Sequence, residues 1–115
     1  MINHKKIYCN YFGYDVGDTI KCEVCLYDLH LPFSEKTKVR VAVDIHHIIP
    51  RSKGGSNRIR GSKYPLDYPE NLIALCRECH EEVERCKEKN KRCKIVHLKN
   101  IIKKMEEEQI NNINW

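Results

Sequence analysis

The chain has 115 residues, 32% of them charged, a net charge of +5 and seven cysteines. This length suits one domain with a modest core, so a metal or cross-link would help to hold its shape. No stretch is apolar and long enough to span a bilayer, which excludes an integral membrane protein of the helical type.

Met1 to Asn10 carries Lys5 and Lys6 but no apolar run of the secretory kind, so the thiols are expected to meet a reducing cytosol. The protein is expected to be cytoplasmic. There, paired cysteines hold zinc more readily than they form disulfides, and an odd number of cysteines argues the same way.

In chain order, Lys5 to Tyr14 places Ile7, Tyr8, Tyr11 and Phe12 at roughly helical spacing before Gly13 and Gly17 interrupt it, predicting a short helix. Thr19 to Phe33 reads as irregular around Cys22 and Cys25. Val39, Val41, Val43 and Ile45 then alternate with Arg40, Ala42, Asp44 and His46, the period of a half-buried strand. By that parity His47 continues the apolar face of Val43 and Ile45.

Pro50, Gly54 and Gly55 end the strand and open a long loop that runs to Pro69. From His46 to Leu66 there is no Asp or Glu, while Arg51, Lys53, Arg58, Arg60 and Lys63 fall there, making a cationic segment suited to phosphates. Asn71 to Leu75 predicts a second, buried strand antiparallel to the first. Arg77 to about Lys91 predicts a helix beginning near Cys76. Leu98, Ile101, Ile102 and Met105 recur at i, i+3, i+4 and i+7, predicting a C-terminal helix whose apolar stripe packs on the domain. The tail from Gln109 to Trp115 is expected to fray.

Cys22-Glu23-Val24-Cys25 and Cys76-Arg77-Glu78-Cys79 are two Cys-x-x-Cys pairs, a spacing that lets both thiolates of each pair reach one tetrahedral zinc at ~2.3 Å. Four thiolates leave no position for water, so this Zn2+ is expected to be structural. Cys9, Cys86 and Cys93 are left as buried or partly exposed thiols. His4, His30 and His97 match no pattern.

Adjacent His46 and His47, followed by Pro50 and the Gly54-Gly55 turn, precede Glu70-Asn71-Leu72-Ile73-Ala74-Leu75-Cys76-Arg77-Glu78-Cys79-His80. In this order, with the first cysteine pair ahead, the chain resembles the HNH endonuclease family from Cys22 to about Val83. The resemblance implies an α+β fold, a small ββα-metal HNH domain with a four-cysteine zinc knuckle and flanking helices. Residues 1–21 would be an N-terminal extension, 22–92 the nuclease core and 93–115 a C-terminal helix and tail.

The same resemblance implies that His47 is the general base, Asn71 orients it, and His46 and His80 are ligands of a catalytic divalent metal. Many members carry Asp where this chain has His46. An imidazole there favours Zn2+, Mn2+ or Ni2+ over Mg2+, which prefers oxygen. The expected partner is DNA, its backbone gripped by Arg51, Lys53, Arg58 and Arg60. A monomer would nick, whereas a homodimer would cut both strands. The competing expectation is a zinc-stabilised nucleic-acid-binding module that breaks no bond. On a regular strand His46 and His47 would face opposite ways, so sharing one phosphate requires the backbone to bend near them.

Overall fold

The structure, a computed structural model, describes residues 4–15, 17–32, 38–50 and 67–113, the last four as backbone alone. The elements are α1 (His4–Phe12), α2 (Glu23–Leu29), β1 (Asp44–His47), a 3-10 turn (Pro69–Asn71), β2 (Leu72–Leu75), α3 (Arg77–Arg85) and α4 (Lys87–Ile113). The architecture is mixed helix and two-stranded antiparallel sheet, with Asp44 opposite Leu75 and His47 opposite Leu72. No described helix is long and apolar enough to cross a membrane.

β2 is buried along its whole length because the sheet is covered on both faces. Side chains alternate across a strand, so Leu72 and Ala74 join Tyr8, Ile20 and Ile45 under α1, while Ile73 and Leu75 join the cysteines, Val83 and Val96 on the other face. Complete burial of Leu72, Ile73 and Leu75 contributes about 1.5–3 kcal/mol each.

Asn71 to Leu75 is the buried antiparallel strand that the sequence predicts, starting one residue later. The first strand is shorter than its alternation suggests. Ladder pairing begins at Asp44, Val41 makes only an isolated bridge to Lys21, and Val41 and Val43 are exposed. Among the described residues the sheet has two short strands, and none of those residues covers that stretch.

The region around Cys22 is helical rather than irregular. Cys22 is the N-cap of α2 and Cys25 lies in its first turn; Cys76 and Cys79 take the same positions on α3. Both knuckle halves thus set their sulfurs at helix N-termini, where unpaired backbone N–H groups and the dipole favour negative charge. The expected helix from Arg77 to Lys91 is broken at Cys86, whose φ of −134° and ψ of 113° are extended, and α4 then runs without interruption to Ile113. Gln109 to Ile113, within the tail expected to fray, extends a helix already nucleated upstream, and propagation costs far less than nucleation. On α4, Ile101 packs inward, but Leu98, Ile102 and Met105 are exposed, contrary to the expectation that the whole stripe packs on the domain.

Glu23, inside the first cysteine pair, ties the layers together. Its Oε2 accepts from the Tyr8 hydroxyl at 2.8 Å and the Ala74 N–H at 3.0 Å; its Oε1 accepts from His97 Nδ1 at 2.8 Å and Asn100 Nδ2 at 2.9 Å. The Leu75 carbonyl faces β1, so the Ala74 N–H points to the open edge of β2, where this carboxylate satisfies it. Burial and the Glu23 charge together push the Tyr8 hydroxyl far above its usual value.

Candidate metal centres and the histidine site

The four cysteines of the two pairs come together with all their sulfurs within 4.8 Å of one another, and all four residues are buried. Cys25 Sγ lies 3.8 Å from both Cys76 Sγ and Cys79 Sγ. A tetrahedral zinc with ~2.3 Å bonds requires sulfur separations of about 3.8 Å, so the donor set fits that ion. Hydrogen bonding, first from Cys79, draws the Cys22 thiol down to about 5, whereas burial pushes Cys76 up to about 11. A zinc ion would take all four as thiolates, since the deprotonated sulfur is the ligand. Of the remaining thiols, Cys93 is buried, and burial pushes it up to about 12; Cys9 and Cys86 are half-buried.

β1 divides the two adjacent histidines. Asp44 and His46 face α3 and α4, whereas Ile45 and His47 face α1, as strand parity demands. The strand stays regular through His47, so the expected bend does not fall between the histidines. It follows them, at Ile48 and Ile49. There Asn71 accepts the Ile49 N–H at 2.7 Å, donates to the Ile49 carbonyl at 3.1 Å, and accepts the Ile48 N–H on its own carbonyl at 2.9 Å.

On the α3 side, His46 and His80 meet edge to face with ring centroids 5.0 Å apart. One ligand atom from each of His46, His80 and Glu84 lies within 4.8 Å of the others. His80 Nε2 is 3.1 Å from Glu84 Oε1, near the ~3.3 Å separation that two nitrogen or oxygen ligands of a tetrahedral ion adopt. His80 Nδ1 donates to Asp44 Oδ2 at 3.0 Å, which leaves the Nε2 lone pair turned toward Glu84. His46 Nε2 pairs with Asn90 Oδ1 at 2.8 Å, and Asn90 Nδ2 donates to the Ile48 carbonyl at 2.8 Å. Burial pushes the His46 imidazole below its usual value, with His80 nearby acting the same way against the Asn90 bond. A neutral ring keeps a lone pair for a cation.

On the α1 side, His47 Nε2 meets Asp67 Oδ1 at 2.5 Å, and the Asp67 side chain is only 1% exposed. The ring of His4 lies 4.7 Å from that of His47. His46 and His80, expected to share an ion, are therefore brought together, and Asn71 is placed beside the backbone that follows His47. Arg51, Lys53, Arg58 and Arg60, with the Gly54-Gly55 turn, lie outside the described residues.

Sequence reasoning passed over Glu84, Asp44, Asp67, Asn90 and His4. Two of these left a signal: Glu84 stands one helical turn beyond His80, and Asp44 shares a strand face with His46. Asp67, His4 and Asn90 left none, because distant segments bring them in.

A two-stranded sheet backed by a helix, with a four-cysteine cluster fit for zinc at the base and a cluster of histidines and Glu84 on one face, defines a small zinc-knuckle domain. The HNH endonuclease family model matches residues 22–85, more than half of the 115, and the chain belongs to the HNH endonuclease family. A comparison with curated proteins and with solved structures yields no match.

Proposed function

We propose that this protein is a metal-dependent endonuclease that hydrolyses DNA phosphodiester bonds. The observation that carries the reading is the histidine site itself: a cation-sized cluster of His46, His80 and Glu84 on one face of β1, and on the other His47 hydrogen-bonded to a buried carboxylate. A module that only binds nucleic acid has no use for such a pairing of ligands and base.

Hydrolysis needs a water deprotonated in line with the scissile bond, negative charge stabilised on the phosphoryl oxygens, and a neutralised leaving group. A carboxylate oxygen only accepts, so the proton between His47 and Asp67 belongs to Nε2, and the His47 lone pair falls on Nδ1. His47 Nδ1 takes the proton of the attacking water as its oxygen bonds to phosphorus. The bond from phosphorus to the 3′ oxygen breaks, leaving a 5′-phosphate and, once that oxygen is protonated, a 3′-hydroxyl. A divalent ion held by His46, His80 and Glu84 would stabilise the charge on the phosphate and on the departing oxygen.

The two histidines serve one phosphate from opposite faces of β1 if the phosphate sits at the strand end. Asn71 supports this placement, because it clamps Ile48 and Ile49 where the chain leaves that end. The thiolate cluster supports the chemistry from a distance by setting the start of α3, the helix that carries His80 and Glu84.

The test is incubation of zinc-loaded protein with supercoiled plasmid in Mg2+, Mn2+, Ni2+ or Zn2+. Wild-type protein is expected to relax or linearise the plasmid, and His47→Ala to slow cutting by about 10²–10⁴-fold while retaining metal and DNA binding. A wild-type protein that shifts the plasmid band without breaking it is a binding module, not a nuclease.

A further inference from the structure

Ile95, Leu98, Ile102 and Met105 of α4 are 56%, 36%, 54% and 52% exposed. Their steps of three, four and three residues are those of a heptad seam, and they line one stripe of the helix. The inward face of α4, with Cys93, Val96, His97 and Ile101, lies about 150° away around the axis, so the stripe points away from the domain's own core. A contiguous apolar stripe on an otherwise charged helix marks a contact surface.

The flanking charges identify the occupant. We infer that this face of α4 pairs antiparallel with the same face of a second copy of the chain. In that register Ile95 meets Met105 of the partner and Leu98 meets Ile102, so the two-fold axis passes near Asn100, midway along the Lys87–Ile113 helix. Lys94 then faces the opposite copy's Glu108, a pair that occurs twice by symmetry; Glu108 also pairs with Lys104 of its own chain, and Arg92 is held by its own Asp28. A parallel pairing would instead set Lys94 against Lys99, like charges, twice by symmetry. Lys99 meets its own copy near the two-fold axis of the antiparallel pair, one like-charge contact against the two of the parallel pair, and in either its Nζ donates to the Tyr27 hydroxyl at 3.0 Å.

Four apolar layers span only ~15 Å of helix. A seam that short buries less than the about 800 Å² per partner of a standard interface, so association is expected in the micromolar range. The inference concerns assembly and does not depend on the nuclease reading.

Sedimentation equilibrium of the zinc-loaded full chain from about 1 to about 200 µM is expected to show a reversible monomer–dimer equilibrium. Ile102→Lys, at an exposed position, is expected to weaken the dimer at least ~30-fold with an unchanged circular dichroism spectrum and melt. Lys94→Glu is expected to weaken it roughly 5–10-fold, and Lys94→Glu combined with Glu108→Lys to restore it to within about 3-fold. A wild-type monomer throughout that range, or a dimer indifferent to Ile102→Lys, overturns the proposal. Tighter association of Lys94→Glu overturns the antiparallel arrangement, since only a parallel pair would be relieved of repulsion.

Discussion

Asp67 accepts the Nε2 proton of His47 across 20 residues of chain, and its carboxylate is almost wholly withdrawn from solvent. The bond selects one tautomer and one orientation of the imidazole, as buried carboxylates do for functional histidines elsewhere. Asp67 lies just ahead of the 3-10 turn that contains Asn71. One short segment thus holds both the ring of His47 and the backbone that follows it.

Asp67→Asn is therefore expected to lower kcat by about 10–100-fold, because an amide can present its NH2 group and favour the wrong tautomer. KM for DNA and metal content should stay near wild type. Steady-state cleavage with metal analysis distinguishes this from general unfolding, and a kcat equal to wild type would remove Asp67 from the mechanism.

Asp44→Asn tests the support of the cation site. Asp44 touches His80 but does not join the His46, His80 and Glu84 cluster, so its removal should weaken divalent-metal binding by about 10–100-fold without abolishing it. Glu84→Ala, which deletes a ligand, should cost more. Calorimetric titration with Mn2+ gives both affinities, and equal losses would mean that Asp44 is itself a ligand.

Removal of metal from the thiolate cluster should collapse the fold rather than merely inactivate it. All four cysteines lie in the larger core, at the starts of α2 and α3. Cys25→Ser is expected to reduce bound zinc and to lower the melting temperature by ten degrees or more, on the order of the several kcal/mol that structural zinc contributes. A chelator that strips zinc and leaves the melt unchanged would contradict a structural role.

His97 makes stability depend on pH. Its Nδ1 faces Glu23 and its Nε2 faces the Pro69 carbonyl at 2.6 Å, both acceptors, so the fully protonated ring satisfies both. Burial works against the charge, but the hydrogen bond and charge of Glu23 overcome it, and the imidazole titrates above its usual value. The proton binds more tightly in the folded state. The stability gained is fully present below about pH 6.5 and is lost as pH rises through the higher folded value. Denaturant melts across pH 5–9 should show this decline, and His97→Gln should flatten it. His97→Ala is expected to destabilise by about 3–5 kcal/mol, because Glu23 would be left buried with an unmatched charge.

Asn71→Ala should cost about 1–3 kcal/mol, since it strands polar groups of Ile49 that are paired in the native fold. Activity should fall further than stability alone explains, because the turn after His47 loses its clamp. Unfolding and cleavage measured on the same preparation give the two numbers.

Local chemistry made much of this protein legible from its residues. Cys-x-x-Cys spacing announced the thiolate cluster, alternation placed His46 and His47 on opposite faces, and the order of histidines, asparagine and cysteines pointed to the family. These are short-range properties, set by the reach of a side chain within one turn or one strand. What the valines before Asp44 face was not legible, because whether a neighbouring layer covers a strand is a property of the whole sheet. The outward turn of Leu98, Ile102 and Met105 escaped for a similar reason: periodicity shows that a helix has an apolar face, not what lies against it.

Residue order alone thus sets out a four-cysteine zinc knuckle that brackets a strand with paired histidines. Which remote polar groups hold the histidine rings is settled by packing. Asp67 reaches His47 from 20 residues along the chain, Glu23 reaches His97 from a different helix, and Asn90 reaches His46 from α4. Such contacts depend on how packed layers bring remote segments within about 3 Å, and a hydrogen bond that short-ranged leaves no trace in residue spacing.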